Sequence, residues 1–249
     1  MDALRAAGCV FAEDEARLLM TAAASPAELA AMVDRRAAGR PLELVLGWAE
    51  FRGLRIAVEP GVFVPRRRTE FLVEQALAQV PDACVVVDLC CGSGAVGAAL
   101  AAALGQVELH AADIDPAAVR CARRNVAAHG GRVHTGDLFR ALPAALRGRV
   151  DILAANVPYV PSGEVPLLPA EARDHEPLTA LDGGADGLDL LRRVAAEAGN
   201  WLAPGGCLLV ETSERQTAAA VDAFRRGGLT PRPVVCEERY AQVVLGTVG

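Results

Sequence analysis

The spacing of apolar residues changes several times along the chain, and each change predicts an element. In the first forty residues, Leu4, Val10, Phe11, Leu18, Leu19 and Met20 recur loosely at helical intervals, which predicts a helical first segment. Ser25-Pro26-Ala27-Glu28 predicts the start of a second helix. Ser25 suits the N-cap, Pro26 the first helical position, and Glu28 completes a capping box. Gly39 and Pro41 end that helix. Two helices this short cannot own a large core, so residues 1–40 are expected to form a small helical N-terminal lobe. Residues 44–64 alternate and are broken by Gly47, Gly53 and Gly61, the pattern of a short hairpin or extended linker. Residues 69–80 return to helical spacing, with Phe71, Leu72, Ala76 and Leu77 on one face and Pro81 as the stop. Residues 41–81 are thus expected to be a hairpin linker and a helix.

From residue 84 onward, short apolar runs alternate with helical ones. Strands are predicted at 84–89, 107–113, 132–135, 150–154, 207–211, 233–236 and 240–246. Helices are predicted at 94–104, 116–129, 188–202 and 214–226, with a long Pro/Gly-rich loop at 156–187. Such alternation predicts an α/β fold over residues 82–249: a doubly wound, mostly parallel sheet with helices on both faces. Ligands of such sheets bind beyond the carboxyl ends of the strands, so the residues that follow each strand are the place to look.

Composition narrows the classes. A chain of 249 residues holds one α/β domain with a full core plus a small extra lobe. With 52% apolar and 22% charged residues it is globular rather than disordered. A net charge of -6 argues against stable nucleic-acid binding by charge alone, although Arg66, Arg67 and Arg68 make a local basic run. Asp2, Arg5, Glu13, Asp14 and Glu15 leave no apolar stretch for a targeting segment. The most apolar stretch, 84–104, contains Asp88 and three glycines, so it reads as strand, turn and helix rather than a membrane span. Seven cysteines without a CxxC pair point to free thiols in a reducing cytoplasm. His110, His129, His134 and His175 have no ligand-like spacing, and no metal is expected.

The first predicted strand runs into Asp88-Leu89-Cys90-Cys91-Gly92-Ser93-Gly94-Ala95-Val96-Gly97. Gly92 and Gly94 permit a tight turn and close approach of a ligand to the backbone, and Gly97 lets the next helix pack near the sheet. By itself this pattern also fits a dinucleotide fold. Asp113 ends the second strand, nineteen residues after Gly94. A carboxylate there accepts from both hydroxyls of a ribose, through charge-assisted hydrogen bonds of about 1.5–3 kcal/mol each. The competing use is as a helix cap, since Asp113 and Asp115 both precede Pro116; the favoured division gives the cap to Asp115. Asp137 follows the third strand, either as acceptor for an adenine amino group with Leu138 against the ring, or as an ordinary turn aspartate. Cys90 and Cys91 serve as small residues in the turn rather than as nucleophiles, because no histidine base is near in sequence.

The fourth strand ends in Asn156-Val157-Pro158-Tyr159. This pattern resembles the Asn-Pro-Pro-Tyr motif of methyltransferases that act on planar nitrogens. The lone pair of such a nitrogen is delocalised, so rate depends on positioning. Asn156 and a backbone carbonyl near Val157 would accept both N–H bonds, and Tyr159 would stack on the planar group. The resemblance extends from about residue 41 to residue 246. Pro41-Leu42-Glu43-Leu44-Val45-Leu46-Gly47, Phe51-Arg52-Gly53-Leu54, Val64-Pro65-Arg66 and Thr69-Glu70 are similar to the linker of the release-factor glutamine N5-methyltransferases. Glu176-Pro177, Ala180-Leu181, Gly183-Gly184 and Asp186-Gly187-Leu188 resemble that family's long loop, and Glu211 and Gln216 the segment after its fifth strand.

The resemblance implies a class I, Rossmann-like S-adenosyl-L-methionine (SAM)-dependent methyltransferase whose partner is a protein substrate, a peptide chain release factor. It implies cofactor contacts at Asp88, Cys90, Cys91, Gly92, Ser93, Gly94, Asp113, Asp137, Leu138 and Asn156. Substrate contacts fall on Asn156, Val157, Pro158 and Tyr159, with Asn156, Pro158 and Tyr159 catalytic. Four features depart from the family. Val157 replaces a proline; the run Pro65-Arg66-Arg67-Arg68 lacks the usual acid; Leu138 stands where an aromatic is common; and the N-terminal lobe is short. They leave open an acceptor in a different protein, a small metabolite or a nucleobase. A nicotinamide-binding module using the same glycine turn gives Asn156 and Tyr159 no role. For Arg66, Arg67 and Arg68 two readings stand: a solvated linker, or a patch that meets an acidic or RNA-bound partner.

Overall fold

The computed structural model describes residues 1–80, 82 and 84–248. The N-terminal lobe holds α1 (Asp2–Ala6), α2 (Ala12–Ala22) and α3 (Pro26–Ala37), followed by α4 (Leu42–Leu46). Ser25 caps α3: its side chain accepts from the Glu28 N–H at 3.1 Å. The Glu28 carboxylate reaches back to Ala24 N rather than Ser25 N, at 2.8 Å. Leu4, Ala12, Leu19, Met32 and Val45 form the lobe's own small core. The first segment is two helices, not one, because the chain turns at residues 7–11. That turn ends the common face expected from the spacing, and Val10, Phe11 and Met20 are exposed.

Residues 42–46 are helical rather than extended, and Gly47, with φ +79°, ends α4 in the left-handed region. The expected hairpin follows as β1 (Trp48–Phe51) and β2 (Leu54–Ala57). Arg52 and Gly53 at its tip both have positive φ, as a two-residue turn of that hand requires. A 3-10 turn at Arg67–Thr69 leads into α5 (Glu70–Gln79). Pro81, the expected stop, lies outside the described residues.

The rest alternates as the pattern predicts: β3 (Val85–Leu89), α6 (Ala95–Leu104), β4 (Glu108–Asp113), α7 (Pro116–Val126), β5 (Arg132–Thr135) and β6 (Val150–Ala155). The stretch 156–187, expected to be loop throughout, holds a short helix, α8 (Ala170–His175); then come α9 (Asp189–Ala198), β7 (Leu202–Thr212), α10 (Thr217–Arg226), β8 (Thr230–Cys236) and β9 (Ala241–Thr247). Among the described residues the larger sheet has seven strands in the order β5-β4-β3-β6-β7-β9-β8. β5 to β7 are parallel, and β9 runs antiparallel to both neighbours. Every residue of β3 is buried, as a central parallel strand covered on both faces must be. Successive side chains alternate across it. Val85, Val87 and Leu89 enter the core beneath α9 and α10, and Val86 the core beneath α5 and α6. The strand order reverses at β3, where a crevice opens beyond the carboxyl ends. Among the described residues no helix is long and apolar enough to cross a membrane.

Candidate functional site

The crevice is built first by backbone geometry at the end of β3. Cys90, Gly92 and Gly94 all have positive φ, and Gly94 N donates to Cys91 O at 2.7 Å to close the turn. Gly97 N donates to Asp88 Oδ2 at 2.8 Å. A Cβ at Gly97 would sit 3.1 Å from that same oxygen, so glycine lets α6 lie close against the strand. Burial pushes the thiols of Cys90 and Cys91 well up, and the neighbouring aspartates add to the rise. Both stay protonated, which removes them as nucleophiles.

Burial also pushes the Asp88 carboxyl up to about 8, with the Gly97 N–H opposing the rise and Asp113 adding to it. The unfolded chain ionises this group near pH 4. Between about pH 4 and about pH 8 the folded protein therefore holds a proton that the unfolded chain has lost, and stability falls as pH rises through that window. The melting temperature of the unliganded protein is expected to drop between about pH 5 and about pH 8, and to drop less in Asp88→Asn. Parallel curves for the two proteins would rule this out.

Asp113, at the end of β4, accepts from Gly92 N through Oδ2 and from Asp115 N through Oδ1, both at 2.9 Å. Each oxygen keeps a second lone pair. Asp115 is the N-cap of α7, its Oδ1 accepting from Ala117 N at 2.7 Å, as the division of labour expected. Between them Ile114, 60% exposed, lines the crevice wall. Its only signal in the sequence is its position directly after a strand-end acid. Asp137 and Leu138 do not join this group. Asp137 accepts from Arg193 at 2.6 Å, and Leu138 is buried in the core beneath α9. Gly94 also stands back from the crevice: a Cβ there would press on Ala122 of α7 at 3.1 Å.

The second half of the site follows β6. Asn156 Oδ1 is buried and has no hydrogen-bond partner among the described residues. Val157 is 1% exposed and packs into the core. The loop at 156–187 is not loose. Val160 N donates to Leu181 O at 3.0 Å and Gly183 N to Val160 O at 2.8 Å. A Cβ at Gly183 would lie 2.6 Å from Pro158 O. Gln216 Nε2 donates to Tyr159 O at 2.8 Å and Asp186 O at 2.9 Å. At its outer end Glu171 of α8 accepts from Arg36 of α3 at 2.6 Å, and Arg36 also holds Glu15 of α2 at 2.6 Å. A Cβ at Gly187, where φ is +77°, would collide with Tyr159 O and the Gln216 amide. Gly187→Ala is therefore expected to displace Tyr159 and cut turnover by roughly 100-fold, leaving cofactor affinity intact. Steady-state kinetics with a parallel cofactor titration checks both halves.

Two of the three arginines in the run are paired with acids across the crevice. Arg66 donates to Glu176 Oε1 at 2.6 Å and Arg68 to Glu211 Oε1 at 2.9 Å. Both arginines line the crevice, and both acids are buried. Arg67 is the most solvated of the three, its side chain 82% exposed against 42% for Arg68 and 32% for Arg66. Glu176 also accepts from Val64 N at 3.2 Å, which fastens the linker to the long loop.

These parts enclose one cavity of about 430 Å³. Cys90, Cys91, Gly92, Ser93, Asp88, Asp113 and Ile114 line one end; Asn156 to Tyr159, Arg66, Arg68 and Glu176 line the other. Its first end offers a glycine turn and a carboxylate with free lone pairs; its second offers a buried carbonyl acceptor beside an aromatic ring. Known proteins are similar to this chain. A family described as methyltransferase small domain matches residues 53–167. A release factor glutamine methyltransferase of Geobacter sulfurreducens is 41% identical over 209 residues, 82% of this chain and 72% of that protein. A 4-amino-L-phenylalanine/4-methylamino-L-phenylalanine methyltransferase of Streptomyces pristinaespiralis is 37% identical, over 79% of this chain and 69% of that protein. Among solved structures, a methyltransferase from Pyrococcus furiosus superposes with a TM-score of 0.60 at 16% identity, covering 80% of this chain and 90% of that one.

Proposed function

The chain belongs to the release factor glutamine methyltransferase family and is a SAM-dependent methyltransferase, and we propose that its acceptor is the side-chain amide nitrogen (N5) of a glutamine in a peptide chain release factor. The observation that carries this reading is the buried, unpartnered Asn156 Oδ1 beside Tyr159 in the cavity. A buried carbonyl left without a donor costs about 1–3 kcal/mol, and an amide N–H entering the cavity relieves that cost.

The residues at the first end suit SAM. Asp113 has free lone pairs for two ribose hydroxyls, Gly92 leaves the turn open to a ligand's backbone approach, and Ile114 offers an apolar face to the adenine. In this reading Asp88, Cys90, Cys91, Gly92, Ser93 and Asn156 complete the cofactor end; Gly94, Asp137 and Leu138 support it from behind, through α7, Arg193 and the core. When bound, the cofactor supplies a methyl group on a sulfonium. Asn156 Oδ1 and a backbone carbonyl near Val157 accept the two amide N–H bonds, and the Tyr159 ring covers the amide plane. Pro158 restricts Val157 to an extended backbone, which aims that carbonyl. The acceptor nitrogen would take that methyl from the sulfonium sulfur and lose one N–H proton, so what the residues of this chain supply is alignment. Catalysis here is positioning, worth several orders of magnitude when donor and acceptor are held in line.

The same reading divides the chain into a helical lobe at 1–40 that meets the protein substrate, a linker at 41–81 and the methyltransferase domain at 82–249. It places the enzyme in the cytoplasm with the translation factors and gives it no stable hold on nucleic acid. The test is to incubate the protein with methyl-labelled SAM and a release factor, then map the label by peptide mass spectrometry. A methyl on the glutamine of the Gly-Gly-Gln loop is expected. Equal labelling of a Gln→Ala factor would overturn the reading. The relative from Streptomyces pristinaespiralis favours a second acceptor class, a primary aryl amine, whose N–H groups would meet the same Oδ1. No label on the factor with label on 4-amino-L-phenylalanine would select it.

A further inference from the structure

Tyr159 is gripped at both ends. Gln216 holds its carbonyl oxygen, and its phenol closes a ring with two charged residues. Arg68 Nη2 donates to Tyr159 Oη at 2.8 Å, Oη donates to Glu211 Oε1 at 2.9 Å, and Arg68 Nε donates to the same Oε1 at 2.9 Å. The three come from separate segments: the turn before α5, the end of β6 and the end of β7. The Glu211 side chain is 3% exposed, and its Oε2 has no partner among the described residues. As a device for stability this is poor. Burying a carboxylate costs several kcal/mol, and apolar residues of the same volume do as well or better. As a device for orientation it is good, because the guanidinium is a rigid fork with donors at set angles.

Resting on the acceptor reading above, we propose that Arg68 and Glu211 are positioning residues for methyl transfer, acting through Tyr159. Together they set the tilt and depth of its ring, so that a planar nitrogen group lying on the ring meets Asn156 Oδ1. Neither touches the reacting atoms. The run that departs from the family's linker thereby gains a specific use: Arg68 supplies the fork, and Arg67 beside it stays in solvent. Burial raises the Tyr159 phenol above its ordinary range, Glu211 raises it further, and Arg68 opposes.

The experiment is a double-mutant cycle with Tyr159→Phe and Glu211→Gln, with Arg67→Ala as control. It reads kcat, KM for a glutamine peptide, SAM affinity and the ultraviolet titration of tyrosinate. Glu211→Gln is expected to lower kcat by roughly tenfold or more with SAM affinity unchanged. In the Tyr159→Phe background it should add little, since the contact it breaks is already gone. Equal losses in both backgrounds would show a merely structural role and overturn the proposal. The tyrosinate step that Tyr159→Phe removes should move down in Glu211→Gln, because Glu211 raises that phenol. A step that stays where it was in Glu211→Gln would also overturn the proposal. A wild-type protein that binds SAM yet leaves glutamine unmethylated refutes the acceptor reading instead. The clamp then stands or falls on whether Glu211→Gln lowers the Tyr159 step. Arg67→Ala should match wild type throughout.

Discussion

Asn156→Ala should bind SAM nearly as well as wild type and turn over on the order of 100-fold to 1000-fold more slowly. The size follows from what is lost. Deleting one aimed hydrogen-bonding group from a water-excluded site costs about that much in other enzymes. Here the deleted carbonyl is buried with no other partner among the described residues, so its whole capacity is available to the acceptor. The effect should fall on kcat, since the contact strengthens as the nitrogen loses its delocalised lone pair to the new bond. Single-turnover rates beside a calorimetric SAM titration separate the two quantities. An Asn156→Ala enzyme with normal kcat would mean the acceptor lies elsewhere in the cavity.

Asp113→Ala should do the opposite, weakening SAM by roughly 100-fold or more while sparing the acceptor end. Two charge-assisted hydrogen bonds of about 1.5–3 kcal/mol each correspond to at least one order of magnitude apiece. A second loss adds to this. Asp113 also holds Gly92 N and Asp115 N, so its removal frees the glycine turn as well as the ribose contact. Burial raises the Asp113 carboxyl, partly offset by those backbone N–H groups; a lower pH that protonates it should therefore mimic the substitution. Asp113→Asn retains acceptor capacity on one oxygen and should fall between the two. Affinity for SAM within a few-fold of wild type in Asp113→Ala would remove this residue from the cofactor site.

Much of the scaffold was legible because its signals are local. β3, α6, β4, α7 and β5 begin or end within a few residues of where the apolar spacing placed them. Ser25 and Asp115 cap their helices as their positions before proline imply. The turn after β3 needs positive φ at Gly92 and Gly94, and only glycine takes that conformation freely. Where the reading failed, the deciding contact was not local. The first helix split because periodicity cannot register a turn at residues 7–11, and residues 42–46 became a helix against the lobe's small core.

The candidate site divides along the same line. From the sequence alone came the strand-turn-helix at Gly92, the acid after β4 and the motif after β6, because each depends on residues within one turn of chain. The partners of the arginines did not, since Arg66 and Glu176 are 110 residues apart and Arg68 and Glu211 are 143 apart. The strand order sets β6 beside β7, so Tyr159 and Glu211, at the ends of these strands, lie together; folding the linker across them adds Arg68. A run of three arginines has the same sequence whether it faces water or two buried acids. Only the tertiary structure supplies the low-dielectric neighbourhood that makes a carboxylate seek a guanidinium, and so turns a linker charge into part of a site.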